Sequence, residues 1–158
     1  MGAPESDQIA ATLLVLLDNQ LARARAALER LPQEVFEATQ AGGCNSIREI
    51  GAHLLDLQRG QLLMLGSARR ENVPAREVGT TPAELLAALE TGLAEVRAAI
   101  LEHDASDWFR QTDEPRPGKW GDEPTLHRLV RPLNDFVNHL GAIRALRRQQ
   151  GSGAERTQ

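Results

Sequence analysis

Residues 134–149 read NDFVNHLGAIRALRRQ, and this stretch decides the fold class. Phe136, Val137, Leu140 and Ile143 recur at the three- and four-residue spacing of a single helix face. The segment is therefore an amphipathic helix with one apolar stripe to bury. Asp135 and His139 sit four residues apart beside that stripe. At about 100° per residue, His139 projects about 40° beyond Ile143, and Asp135 about 40° beyond His139. A carboxylate and an imidazole so placed are either an i, i+4 ion pair on the helix rim or two donors of a metal site.

Working outward, three more helices follow from caps and periods. The first runs from about Asp7 to Leu31, with Leu14, Leu17, Leu21, Ala24, Leu28 and Leu31 as its seam and Pro32 as its stop. Ser46 and Glu49 form an S-x-x-E capping box that starts the second. It continues to about Leu65, before Gly66, with Ile47, Ile50, Leu54 and Leu57 as its apolar face. His53 projects about 40° outside Leu57, at the rim of that face. Thr81-Pro82-Ala83-Glu84 is a second capping box with Pro at the first helical position. The third helix then reaches about His103 along Leu86, Leu89, Leu93, Val96 and Ile100, with Gly92 as a weak point. The fourth spans about Thr125 to Gln149, and Pro132 is expected to kink it or move its start.

Long connections separate helices two and three, and three and four. The latter, from Asp104 to Pro124, holds both Trp108 and Trp120; loops of that length usually cover something or carry function. Four long helices, each with one apolar face, pack economically as an all-α four-helix bundle. No strand alternation or solenoid repeat competes with that reading.

The 158 residues suit one domain, expected over 1–150, with 151–158 as a disordered tail. Tyr is absent, and the Ala, Leu, Arg and Glu bias favours helix. A net charge of −4 gives no electrostatic footprint for nucleic acid. The cluster Arg144, Arg147 and Arg148 is explained by a helix C-terminus. Cys44 is the single cysteine, so no internal disulfide forms, which fits a reducing cytoplasm. The N-terminus lacks a signal-peptide pattern, and the apolar run Ile9 to Leu17 is too short for a membrane span.

If the second and fourth helices are neighbours, His53, Asp135 and His139 converge in one groove. Three protein donors with positions left for water is the pattern of a catalytic metal site. Such donors suit Zn, Ni, Fe or Mn. Periodicity alone favours the ion-pair reading, because an Asp-x-x-x-His pair on a helix is more often an i, i+4 pair than two ligands. Asp56, one turn after His53, projects toward solvent, and Glu49 is accounted for by its cap. His103 at a helix end can serve the dipole, and His127 is expected at the surface. Cys44 precedes a helix cap but has no base beside it. The tryptophans read as loop anchors, and PRPGKW (115–120) as a lid by position. There is no P-loop, G-x-S-x-G, C-x-x-C or dinucleotide fingerprint.

Two short runs carry a family resemblance. NSIREIGAHLLDLQRG (45–60) resembles the second helix of the DinB/YfiT-like proteins, and NDFVNHLGAIRALR (134–147) resembles their last helix. TPAELLAALETGLAEVRAAI (81–100) is similar to their third helix, and length and helix order agree over about 7 to 150. The resemblance implies a bundle of four helices, usually dimeric, with a metal held by three histidines in a groove. Position by position, His53 and His139 match two of those ligands. Asp135 stands where the family normally has the third histidine; Asp also ligates Zn or Ni. A register pairing His139 with Ile143 would leave two ligands and would misalign LGAIRAL. The resemblance further implies a metal-dependent enzyme acting on a small molecule, with a low-molecular-weight thiol as co-substrate, in S-transfer, isomerisation or hydrolysis. The competing expectation is a stress-associated, non-catalytic homodimer whose degraded metal site binds a small ligand.

Overall fold

A computed structural model describes residues 3–39, 45–110 and 124–154, with side chains described between Gln8 and Gln149 in those ranges. Five α-helices are present: α1 (Ala3–Leu28), α2 (Gln33–Glu37), α3 (Ile47–Met64), α4 (Pro82–Glu102) and α5 (Thr125–Ala154). Two 3-10 turns lie at Ala68–Asn72 and Ala105–Asp107. No β-strand occurs among the described residues, and no helix there is long and apolar enough to cross a membrane.

Both capping boxes form as read. Ser46 accepts from the Glu49 amide while Glu49 accepts from the Ser46 amide at 2.7 Å. Thr81 and Glu84 do the same at the start of α4. At the other end of α3, Gly66 takes φ +67°. Its amide donates to Leu63 at 3.1 Å, and the Ser67 amide donates to Leu62 at 2.9 Å. This left-handed glycine cap closes the last turn.

The ends of the first helix differ from expectation. α1 stops at Leu28 rather than Leu31, because a left-handed residue ends the helix before Pro32 is reached. Arg30 takes φ +56° there, a left-handed turn that costs a side-chain-bearing residue about 1 kcal/mol. Pro32 is then the N-cap of α2, whose Phe36 is fully buried. At the far end of the chain, α5 continues to Ala154, past Gln149, and runs through Pro132 from a start at Thr125.

Side-chain pairs give the helix directions. Arg25 meets Glu90 at 2.7 Å, and Asp18 pairs with Arg97, so α1 and α4 are antiparallel. Gln58 Nε2 donates to the Leu89 carbonyl at 2.9 Å, and a turn beyond the end of α3 Arg69 meets Glu95 at 3.1 Å. Those pairs make α3 and α4 parallel. Gln20 Nε2 donates to the Leu133 carbonyl at 2.9 Å, and Arg147 donates to the Ala26 and Ala27 carbonyls. α1 and α5 are therefore also parallel, which leaves α3 and α5 antiparallel. The ring of neighbours is α1–α4–α3–α5, closing on α1.

This order explains the long connections. A parallel α3–α4 pair requires residues 65–81 to travel back along an 18-residue helix, about 27 Å. The residues leading from α4 to α5 link helices across the diagonal of the bundle. Trp108, buried to 1% exposure, fastens that link, and its carbonyl accepts from the Leu126 amide at 3.0 Å. Trp108 is thus an anchor, as read from sequence; Trp120, Cys44 and the stretch 115–120 lie outside the described residues.

The core gathers Leu13, Leu17, Leu54, Leu62, Leu89, Val96, Leu140 and their neighbours from all four long helices. Two seams are rotated from their expected phase. Leu13, Leu17, Gln20 and Ala24 are buried on α1, with Leu14 and Leu21 only half-buried. On α3, Gly51, Leu55, Gln58 and Leu62 are buried while Leu57 is half-buried.

Candidate functional site

The α3–α5 seam holds the predicted imidazoles. The capping box at Ser46 fixes where α3 begins, and buried Ile50 and Leu54 fix its rotation. His53 then lies on the flank toward α5, solvent-exposed. Opposite it, Phe136, Leu140 and Ile143 are fully buried and set the rotation of α5. His139 falls at the half-buried rim between the helices. The two ring centroids are 4.7 Å apart and the planes stand at 86°, edge to face. The condition posed by sequence, that these two helices be neighbours, is met.

Burial lowers the pKa of the His139 imidazole, and the adjoining His53 pushes it the same way; the Asp135 carboxylate opposes both. His139 therefore favours the neutral ring, the form whose nitrogen lone pair binds metals. Asp135 is exposed on α5, one turn before His139, close enough to act on it through charge. No three His, Cys, Asp or Glu side chains among the described residues assemble into a group that could hold an ion. Two of the three predicted donors thus stand together, with the third beside them. In donor chemistry, two imidazoles from different helices and a nearby carboxylate fit a divalent cation.

The remaining candidates have structural roles or surface positions. Asp56 is 3.6 Å from Arg76 in an exposed ion pair. Glu49 serves the α3 cap, and the Ser46 amide hydrogen bond holds its carboxyl below the usual range. His127 is exposed, as expected. His103 is the C-cap of α4 and rests on Trp108, with ring centroids 4.3 Å apart. Burial lowers its pKa, outweighing Asp107 and Asp104, so the expected role of a cation at the helix dipole is overridden.

Sequence reading passed over the buried polar side chains Gln20, Gln58, Gln61 and Arg128. A signal was present for two of them: Gln58 and Gln61 follow Leu54 by four and seven residues, on its own face. Gln20 and Gln58 tie α1 to α5 and α3 to α4 through backbone carbonyls.

An all-α bundle with an inter-helix imidazole pair is the class these features define. A family model described as the DinB superfamily matches residues 16–142, and the chain belongs to that family. No curated protein matches the chain.

Proposed function

We propose that this protein is a metal-dependent enzyme of the DinB type acting on a small molecule, with His53, Asp135 and His139 as its metal ligands. The observation that carries the reading is the His53–His139 pair across the α3–α5 seam. Imidazoles contributed by two separate helices need a reason to meet at a rim where neither is required for the core. Desolvation supports the reading further, since it keeps His139 neutral and available as a donor. Asp135 supplies a negative charge next to the pair, and its exposure leaves it free to turn toward an ion. A divalent ion held there would lower the pKa of a bound water or low-molecular-weight thiol, supplying an anion for transfer, isomerisation or hydrolysis. The imidazoles' part is to orient that centre, and the apolar wall of Phe136 and Leu140 limits water on the core side.

A second reading is a non-catalytic bundle that binds a small ligand at a degraded site. What favours it is the aspartate at the position of the family's third histidine, together with the lack of an assembled three-donor group among the described residues. A cytoplasmic location and a homodimer belong to both readings.

Metal analysis of untagged protein separates the two. Close to one divalent ion per chain, lost in His53→Ala and in His139→Ala, supports the enzyme. Metal-free protein that takes up neither added zinc nor nickel contradicts it. Bound metal without turnover on any thiol and electrophile pair favours the second reading.

A further inference from the structure

The corner between α4 and α5 carries a histidine the seam site does not use. His103 ends α4, its amide donating to the Ile100 carbonyl at 3.3 Å. Its ring lies against Trp108 at 4.3 Å and 54°. Nε2 is shut off from solvent and has no hydrogen-bond partner among the described residues. Trp108 in turn is buried and accepts from the Leu126 amide, so this one packed pair sits between the end of α4 and the first turn of α5.

A bare ring nitrogen in such a place is tolerable, but an N–H donor there is not. Protonation would put a charge and an unmatched donor at Nε2, and the desolvation cost of such a group is large when no acceptor is at hand. Among the described residues, the charged groups around the ring are few. Asp104 and Asp107 flank it and favour the cation, and Asp107 also lies 3.5 Å from the Arg110 guanidinium. Glu102 and Arg69 line the same cleft, about 450 Å³ in volume, but they are bound to each other, and Arg69 also to Glu95. α1 packs on the Ala105–Asp107 turn and carries no charged residue from Gln8 to Leu17. From α5, Arg128 is buried near the start of the helix and His127 is exposed. Burial outweighs the two aspartates.

We propose that His103 and Trp108 form a pH-sensitive latch that holds the first turn of α5 on the bundle while the imidazole is neutral and lets it go when the ring is protonated. The sign follows from linkage. The folded-state pKa lies below the ordinary histidine value, so the released, solvated form binds the proton more readily. The latch is fully closed above that ordinary value and weakens as pH falls from it toward the folded-state pKa. Each unit of separation between the two values opens it about tenfold.

Trp120→Phe leaves Trp108 as the single fluorescent reporter. Emission followed from about pH 8 to about pH 5, the range where histidine titrates, should fall and shift to the red reversibly, with a midpoint below the ordinary histidine value. The change should vanish in the Trp120→Phe, His103→Gln double variant, and Leu126 amide exchange should accelerate over the same pH interval in the parent. Emission that is flat, or that titrates equally in the double variant, overturns the proposal. If the double variant does not fold, the His103 ring is titrated directly by NMR in the Trp120→Phe protein. A midpoint coinciding with the emission change supports the latch; one that differs from it overturns the latch.

Discussion

Helix α3 has two working flanks, and they are built on opposite plans. Toward α4 it offers Gly51 and Gln58. A methyl group at Gly51 would overlap Leu85 Cδ2, and one at Gly92 would overlap Gln58 Oε1. The parallel helices thus approach closely at two levels, and Gln58, fully buried, binds the Leu89 carbonyl in the gap. Toward α5 it offers an exposed imidazole against a half-buried one. The first flank excludes water and fixes one helix position; the second tolerates water and leaves ring nitrogens without a packing duty. Stability and candidate chemistry therefore lie on opposite sides of one 18-residue helix, and substitutions should separate them.

The strongest break in this contrast is expected from Gly92→Val. The new side chain must displace Gln58, whose amide is buried and bonded, and overpacking of this kind costs about 2–3 kcal/mol. Chemical denaturation measures it. Gly92→Ala should be rescued when combined with Gln58→Ala, because alanine is the better helix former by up to about 1 kcal/mol once the overlap is gone. Equal losses in the single and double variants would show that Gln58 is not what glycine accommodates.

Gln58→Ala alone should cost less, about 1–2 kcal/mol. It removes a buried hydrogen bond and leaves a small void, while the Leu89 carbonyl keeps its helical donor. Metal content should be unchanged in this variant if the two flanks are independent.

A smaller effect is expected from the caps. The folded-state pKa of Glu49 is depressed, chiefly by the Ser46 amide, and that of Glu84 chiefly by the Thr80 hydroxyl. A depressed carboxyl stabilises the fold above its unfolded value and loses that contribution as pH falls through its folded one. Glu49→Gln and Glu84→Gln should each flatten the acid limb of a stability–pH profile below about pH 4.5, the ordinary range for glutamate, and leave its neutral plateau nearly level. An acid limb as steep as that of the parent would argue against the capping carboxylates.

The smallest change in stability should come from His53→Ala, within about 0.5 kcal/mol, as for an exposed residue outside any cap or core. A loss of several times that size would mean that the α5 flank also holds the fold together.

Much of this architecture was legible in sequence, for stated reasons. Capping boxes are local, so Ser46–Glu49 and Thr81–Glu84 fixed two helix starts to the residue. The rim positions of His53 and His139 followed from helical geometry, and the family resemblance placed them in one groove. The phase of α1 was less readable, because the run TLLVLL offers leucine at nearly every angle and the period cannot choose between Leu13 and Leu14. Helix α2 went unread because five residues carry no measurable period. The parallel direction of α3 and α4 is a long-range property, set by pairs such as Arg69–Glu95 that no local pattern announces. Buried Gln58 and Gln61 are not announced by their residue type, because a glutamine on a helix ordinarily faces water. At the site, Asp135 is the residue whose role sequence raised and whose position, beside the pair but in no three-donor group among the described residues, gives it its interest.

Zinc titration by calorimetry into metal-stripped protein tests the central claim most directly, comparing the parent with His53→Ala, His139→Ala and Asp135→Ala. Binding of one ion per chain, abolished by either histidine change and weakened by loss of Asp135, is the predicted result. A parent protein that takes up no zinc, or binds it equally well without His53 and His139, would contradict the account.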